Sequence, residues 1–240
     1  MKISGKNSAF EKLRSDPRSI KKIEIQEGFA EASYVRKKAK QWGIPVIVLP
    51  KSKMENMRRN ANTQGILVTV DDFAYVMLRD MIDQALDKKR TIVFLDGLND
   101  PQNLGAIIRS LACLGRFSIV LPTHDSVSVT EAVLRVASGG DSHVPIAQVS
   151  NLNKAIREAK DAGFTIAGTV VKDGTPITEV TFPYPLGLVI GSEQKGIRDV
   201  IRQNIDLAVT IPMHLDRLSF NVAHATAIIA YEITRQRHKK

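Results

Sequence analysis

Three polar stretches in this chain have residue types and spacings suited to holding a ligand and managing charge on it. The first runs from Asn99 through Asp100, Pro101, Gln102, Asn103, Gly105 and Ala106 to Arg109. Asp100 before Pro101 reads as a helix start, because a carboxylate satisfies free backbone N–H groups and proline fits the first helical position. This predicts Asn103 in the first turn. It also sets Gly105 and Arg109 four apart on one helix face, so that a ligand can approach the backbone at Gly105 while the guanidinium reaches it. A guanidinium stays charged, so the chemistry it offers is stabilisation of negative charge rather than proton abstraction.

The second stretch is Gly191, Ser192, Glu193, Gln194, Lys195 and Gly196, directly after the apolar run 186–190. Parallel sheets bind ligands where such strands end, and Gly196 permits a tight turn into the next helix. Glu193 suits either a hydrogen bond to substrate or a contact that fixes Arg109. The third stretch is Ile211, Pro212 and Met213, followed by Ser219, Phe220, Asn221 and Val222. Ser219 or Asn221 would cap the helix that follows, and the Asn221 amide is equally suited to orienting a ligand or a loop.

These side chains need a scaffold. Residues 91–95, 118–121, 144–149, 165–170, 186–191 and 207–211 are apolar throughout rather than alternating, with helical stretches between most of them. Such runs predict a parallel α/β sheet covered on both faces. Neither a G-x-G-x-x-G after the first strand nor a G-x-x-x-x-G-K-[ST] is present, so dinucleotide and P-loop readings lose their support. His124, His143, His214, His224 and His238 lack paired-ligand spacing, and no metal is expected. Cys113 is the only cysteine, which excludes a disulfide framework and makes buried packing its expected role.

Upstream, helical signals at 8–13, 30–41 and 52–60 alternate with strand signals at 20–25, 45–49 and 65–70, predicting a small α/β domain over 1–73. Residues 74–90 read as a helical linker packed on one neighbour, and 91–240 as the second domain; a chain beginning near Phe73 is expected to fold alone. The charge is uneven. Residues 1–60 hold 15 Lys/Arg against 6 Asp/Glu, whereas 61–240 hold 19 against 19, so the whole excess of +9 lies in the first quarter. Clusters at Lys21-Lys22, Arg36-Lys37-Lys38-Lys40, Lys51-Lys53 and Arg58-Arg59 suit a polyanion. No apolar run approaches the roughly 20 residues that span a bilayer, and no secretory signal opens the chain, so a cytoplasmic protein is expected.

Taken together, in this order and at strand ends, the three stretches resemble the motifs of the SpoU (TrmH) family of SPOUT methyltransferases: N-x-x-G-A-I-x-R, G-S-E-x-x-G, and I-P-M followed by S-L-N-V. The resemblance covers nearly the whole chain. Gly5-Lys6-Asn7, Gly43-Ile44-Pro45 and Gln64-Gly65 make the first domain similar to the ribosomal-protein-like substrate-binding domain of the ribosomal RNA members, which transfer RNA members generally lack. Three positions depart from the pattern: Leu215 replaces a usual Gly, Phe220 the usual Leu, and Thr63 a frequent His.

The resemblance implies a second domain with a deep trefoil knot, against the general rule that chains do not thread loops. It implies a homodimer whose cleft, built around Thr169, Gly191, Ile211 and Phe220, holds S-adenosylmethionine. It assigns Arg109, Asn103, Glu193, Ser219 and Asn221 to catalysis or substrate positioning. The implied reaction is 2′-O-ribose methylation of structured RNA, specifically 23S ribosomal RNA. The alternatives are a transfer RNA 2′-O-methyltransferase and a non-catalytic RNA-binding protein that keeps the fold. A small-molecule methyltransferase fits the concentrated basic segment poorly.

Overall fold

The computed structural model describes residues 1–57, 63–192, 195–215 and 218–238. From the N-terminus the chain forms β1 (Lys2–Ser4), α1 (Lys6–Ser15), β2 (Ile20–Gln26), α2 (Ala32–Gln41), β3 (Val46–Leu49), α3 (Lys51–Met57) and β4 (Ile66–Val70). Then come α4 (Leu78–Asp87), β5 (Thr91–Leu95), α5 (Pro101–Leu114), β6 (Phe117–Pro122) and α6 (Glu131–Ala137). The remainder forms β7 (Ile146–Val149), α7 (Leu152–Asp161), β8 (Thr165–Thr169), β9 (Thr175–Pro176), β10 (Leu186–Ile190), α8 (Asp199–Arg202), β11 (Leu207–Thr210) and α9 (Val222–His238).

Two compact units result. The first comprises Met1–Ala74 together with Val129–His143; the second comprises Tyr75–Ser128 and the residues from Val144 onward. In the first unit the sheet order is β1-β4-β2-β3, with β4 antiparallel to both β1 and β2, and β3 parallel to β2. On α2, Val35 and Ala39 lie four apart and are buried, while Arg36, Lys37 and Lys40 are exposed. The helix therefore turns an apolar stripe inward and a basic face to solvent. The helix expected over 52–60 is seen as α3, its last residues lying outside the described ones together with Arg58-Arg59. The three-residue β1 has no counterpart among the expected strands.

The segment 129–143, which the sequence pattern groups with the second domain, packs into the first unit. Val133, Leu134 and Ala137 of α6 are buried there. The Lys2 backbone N–H donates to Glu131 Oε1 at 2.6 Å, and His143 Nε2 lies 2.8 Å from Glu11 Oε1. Gly139, at φ +91°, leaves no room for a Cβ, which would fall 2.5 Å from Glu11 Cβ. A cut near Phe73 would thus strip α6 of the core it helps to complete.

Asp141 gives this unit a pH dependence. Its side chain is only 3% exposed, with Lys12 Nζ at 3.5 Å, and burial pushes the carboxyl above its ordinary value while Lys12 pulls it down. A raised value in the folded state means the stabilising contribution is full below the ordinary value and is lost as pH rises through the raised one. Asp141→Asn removes that loss. The melting temperature at neutral pH is expected to rise, the gain shrinking as the pH falls toward the ordinary carboxylate value. Circular-dichroism melts across that range check it, and a lower melting temperature at neutral pH would contradict it.

The second unit is built on a seven-stranded sheet of order β7-β6-β5-β10-β8-β11-β9 in which every pair is parallel. Ile92, Phe94, Val120, Ala147, Ile166 and Val189 join one core with Met81, Ile82 and Ala85 of α4 and with Ala155, Ile156 and Ala159 of α7. The alternate residues Val93, Leu95, Ile119, Leu121, Leu188 and Ile190 are also buried. Both faces of the sheet are covered, which is why these strands read as unbroken apolar runs. The expected linker helix, α4, is therefore part of this core, and Val76 just before it bridges to Ala147.

Because β10 pairs in parallel with both β5 and β8, and β8 with β11, the residues after these four strands emerge on one edge of the sheet. Asp96, Gly191, Val170 and Ile211 are the first of them. Cys113, expected to be buried, is exposed in the last turn of α5. Among the described residues, no helix is long and apolar enough to cross a membrane.

Candidate active site

Asp100 caps α5, its side chain accepting from the Gln102 N–H at 2.9 Å with Pro101 at the first position. Asn103 follows in the first turn and is buried. Its Oδ1 accepts from Asn221 Nδ2 at 3.0 Å, and Asn221 Oδ1 accepts from the Ala223 N–H at 2.9 Å. Asn221, rather than Ser219, is therefore the residue that caps α9. One amide bridges the starts of two packed helices, and a buried asparagine satisfied in this way fixes their register. Gly105 is buried on α5, which packs on α9 and β6. Arg109 is exposed on α5 and forms no ion pair among the described residues.

The strand β10 runs into a closed turn. Ser192 and Gly196 exchange backbone hydrogen bonds at 3.1 and 2.9 Å, and Ser192 Oγ accepts from the Lys195 N–H at 3.2 Å. Gly191 makes the turn possible, since a Cβ there would lie 2.2 Å from the Gly196 carbonyl carbon and 2.4 Å from Ile197 N. Glu193 lies outside the described residues. Arg198 anchors the far side of the turn: its backbone N–H donates to Asp96 Oδ2 at 2.9 Å, and Nε donates to Asp96 Oδ1 at 2.7 Å. Asp96 is 1% exposed, whereas half of the Arg198 side chain is open to solvent.

Two clefts flank this turn. One, of about 480 Å³, brings together Thr169, Gly191, Ile211, Ser219 and Phe220 with the apolar Ile190, Met213, Val222 and Ile229 and the polar Lys172, Asp173 and Ser192. The other, of about 530 Å³, is polar and is lined by Asn99, Asp100, Asn103, Asp125 and Arg198. Ser192, Lys195 and Gly196 line both. The sizes are those of small-molecule sites, and their place at the ends of parallel strands is where such folds bind ligands.

The structure thus gathers the four expected cofactor residues and Ser219 in one cleft and pairs Asn103 with Asn221. Arg109 lines neither cleft. Sequence reasoning missed Asp96 and Arg198, although a carboxylate directly after an apolar strand is a detectable signal.

A parallel α/β unit with a ligand-sized cleft at its strand ends, joined in one chain to a basic α/β unit, defines the class of protein. Residues 90–231 match the SpoU rRNA Methylase family, and residues 2–76 match a substrate-binding region of RNA 2′-O ribose methyltransferases. A Staphylococcus epidermidis protein carrying the name of a TrmH family tRNA/rRNA methyltransferase is 34% identical over 241 residues, covering 99% of this chain and 96% of the relative. The chain belongs to the SpoU (TrmH) family of RNA methyltransferases. Two solved structures share its fold. An AdoMet-bound rRNA methyltransferase from Sinorhizobium meliloti has a TM-score of 0.81 at 24% identity, over 98% of this chain and 86% of that one. A TrmH/SpoU tRNA modifying enzyme of A. aeolicus has a TM-score of 0.56 at 28% identity, over 68% of this chain and 86% of that one.

Proposed function

We propose that this chain transfers a methyl group from S-adenosylmethionine to a ribose 2′-hydroxyl of ribosomal RNA, as a homodimer in the cytoplasm. The observation that carries this reading is the pair of clefts joined at Ser192, Lys195 and Gly196, one amphiphilic and one polar. The amphiphilic cleft fits the cofactor. Ile190, Ile211, Met213, Val222 and Phe220 suit an adenine ring, while Thr169, Asp173, Ser192 and Ser219 offer polar partners for the ribose and amino-acid ends. When bound, S-adenosylmethionine supplies an electrophilic methyl group.

The residues of this chain then align the acceptor, since an in-line displacement depends on placing the oxygen behind the methyl carbon. With the cofactor bound and its methyl group passed to the oxygen, the hydroxyl proton would leave to water or a phosphate oxygen. Arg109 stabilises the negative charge developing on the ribose oxygen and does not take the proton, because a guanidinium has no acceptor. Asn103 and Asn221 position the helix starts beside the acceptor, and Glu193 and Ser219 complete the set. A second copy of α5 presented at the cleft accounts for Arg109 standing outside both clefts of its own chain, and exposed Tyr231 on α9 is suited to that contact. The trefoil knot belongs to the same reading, as the threading that gathers the segments after β8, β10 and β11 into one cleft.

We favour ribosomal RNA over transfer RNA because the first unit is basic and residues 2–76 match a substrate-binding region of RNA 2′-O ribose methyltransferases, whereas the tRNA modifying enzyme matches only 68% of this chain. Lys21 and Lys22 are paired to Asp71 and Glu24, so among the described residues the clusters without such a partner are those on α2 and at the start of α3. Reversing Arg36, Lys37 and Lys38 to Glu is expected to weaken ribosomal RNA binding and to flatten the slope of log affinity against log salt by about 0.7 to 0.9 for each phosphate no longer neutralised. Filter binding at several salt concentrations measures it, and an unchanged slope would reduce these charges to a solvated face. The reading itself is tested by tritium transfer from labelled cofactor to 23S ribosomal RNA and to transfer RNA in parallel. Incorporation into ribosomal RNA alone is expected; incorporation into transfer RNA alone contradicts the assignment.

A further inference from the structure

We propose that Arg198, held by the buried carboxylate of Asp96, binds a phosphodiester of the RNA strand next to the acceptor ribose. The inference rests on the proposed function in placing the acceptor beside the cofactor cleft. Asp96 directly follows β5 and is 1% exposed, yet both its oxygens are spent on one residue. Oδ1 takes Nε at 2.7 Å and Nη2 at 2.6 Å, and Oδ2 takes the backbone N–H at 2.9 Å. A guanidinium carries five N–H donors in a planar fork. Asp96 engages one edge of that fork, and the half of the side chain that remains exposed keeps the other edge available to a second anion. An arginine fixed in this way loses little further freedom on binding phosphate, whose oxygens match the fork.

Its location gives this outer edge a use. Arg198 lines the polar cleft that shares Ser192, Lys195 and Gly196 with the cofactor cleft. It also lines a third cleft of about 330 Å³ with His124, Asp125, Ser150 and Asn153. A strand leaving the acceptor ribose from the first polar cleft toward the third passes over Arg198. Burying a carboxylate is unfavourable unless it is paired and hydrogen-bonded, and here one half-exposed arginine supplies all the pairing, which holds its guanidinium in place. Orientation of the guanidinium is what the arrangement achieves. Arg198 is thus a substrate-binding residue, and Asp96 is a positioning residue that acts through it.

The test measures binding of the full-length chain to a labelled 23S ribosomal RNA transcript, and to a transfer RNA transcript, with S-adenosylhomocysteine present. On whichever RNA is bound, Arg198→Ala is expected to weaken affinity roughly five- to tenfold and to lower the salt slope by about 0.7 to 0.9, the share of one neutralised phosphate. Affinity for S-adenosylhomocysteine stays within about twofold, and Arg198→Lys keeps the slope because it keeps the charge. If Arg198→Ala does not fold, Arg198→Gln, which still donates to Asp96, carries the same test. Asp96→Asn added to Arg198→Ala should weaken RNA binding no further, since the two act as one unit. An unchanged salt slope, or a parallel loss of S-adenosylhomocysteine affinity, overturns the proposal by reducing the pair to a brace for the turn. These readouts are independent of methyl transfer, so they stand or fall separately from the identity of the modified group.

Discussion

Arg109→Ala is expected to lower methyl transfer by about 100-fold or more while S-adenosylhomocysteine affinity changes by less than about twofold. The asymmetry follows from position. Arg109 is exposed on α5 and is absent from the residues that line the cofactor cleft, so its removal leaves that cleft intact. Its proposed partner is the oxygen on which charge develops during transfer, and an interaction made only there appears in turnover rather than in binding. Arg109→Lys restores charge without the planar fork and should recover only part of the rate. Calorimetry and tritium transfer on the same preparations separate the two effects. A variant that keeps more than about a tenth of wild-type turnover, a loss under roughly 1.4 kcal/mol, would remove Arg109 from the chemistry.

Gly191→Ala is expected to abolish measurable cofactor binding at ordinary concentrations and to destabilise the second unit by about 1 to 3 kcal/mol. The added methyl would meet only backbone, Gly196 C at 2.2 Å, Ile197 N at 2.4 Å and Gly196 O at 2.6 Å, and backbone cannot swing aside as a side chain can. Relief requires opening the Ser192–Gly196 turn, which forms a wall of both clefts. Gly196→Ala provides the contrast. Gly196 sits at φ +65° with nothing near its missing Cβ, so the change costs only the left-handed backbone, about 1 to 2 kcal/mol. Cofactor titration with thermal melts of both variants distinguishes a blocked cleft from general destabilisation. Binding by Gly191→Ala within about twofold of wild type would show that the turn does not shape the cofactor site.

What can be read from the sequence, and what cannot, divides along physical lines. The β5, β6, β8, β10 and β11 strands are visible because a sheet buried on both faces writes itself as continuous apolar runs. The start of α5 is equally visible, since capping by Asp100 and the placing of Pro101 are local chemistry. Segment 129–143 is misplaced for the opposite reason: its helical period shows that one face is buried but not which core receives it. The short strands β1 and β9 are held by pairing partners and have too few residues for a pattern.

The same division holds in the candidate site. Thr169, Gly191, Ile211, Ser219 and Phe220 are expected together through the resemblance, and the fold places them in one cleft. The Asn103–Asn221 hydrogen bond joins residues 118 positions apart, and the Asp96–Arg198 pair joins residues 102 apart. Capping rules give Asn221 a local role but not a distant partner. Gly105 and Arg109 share a helix face by spacing, yet Gly105 is buried and Arg109 exposed, a difference that spacing alone does not give.

The most direct test of the account is the identity of the methylated group. The purified chain is incubated with methyl-labelled S-adenosylmethionine and unmodified 23S ribosomal RNA, and the RNA is digested to nucleosides and resolved by mass spectrometry. The account predicts a single 2′-O-methylnucleoside whose label resides on the ribose fragment. Label on a base fragment, or no label in the ribosomal RNA under conditions where the chain binds both cofactor and RNA, would contradict it.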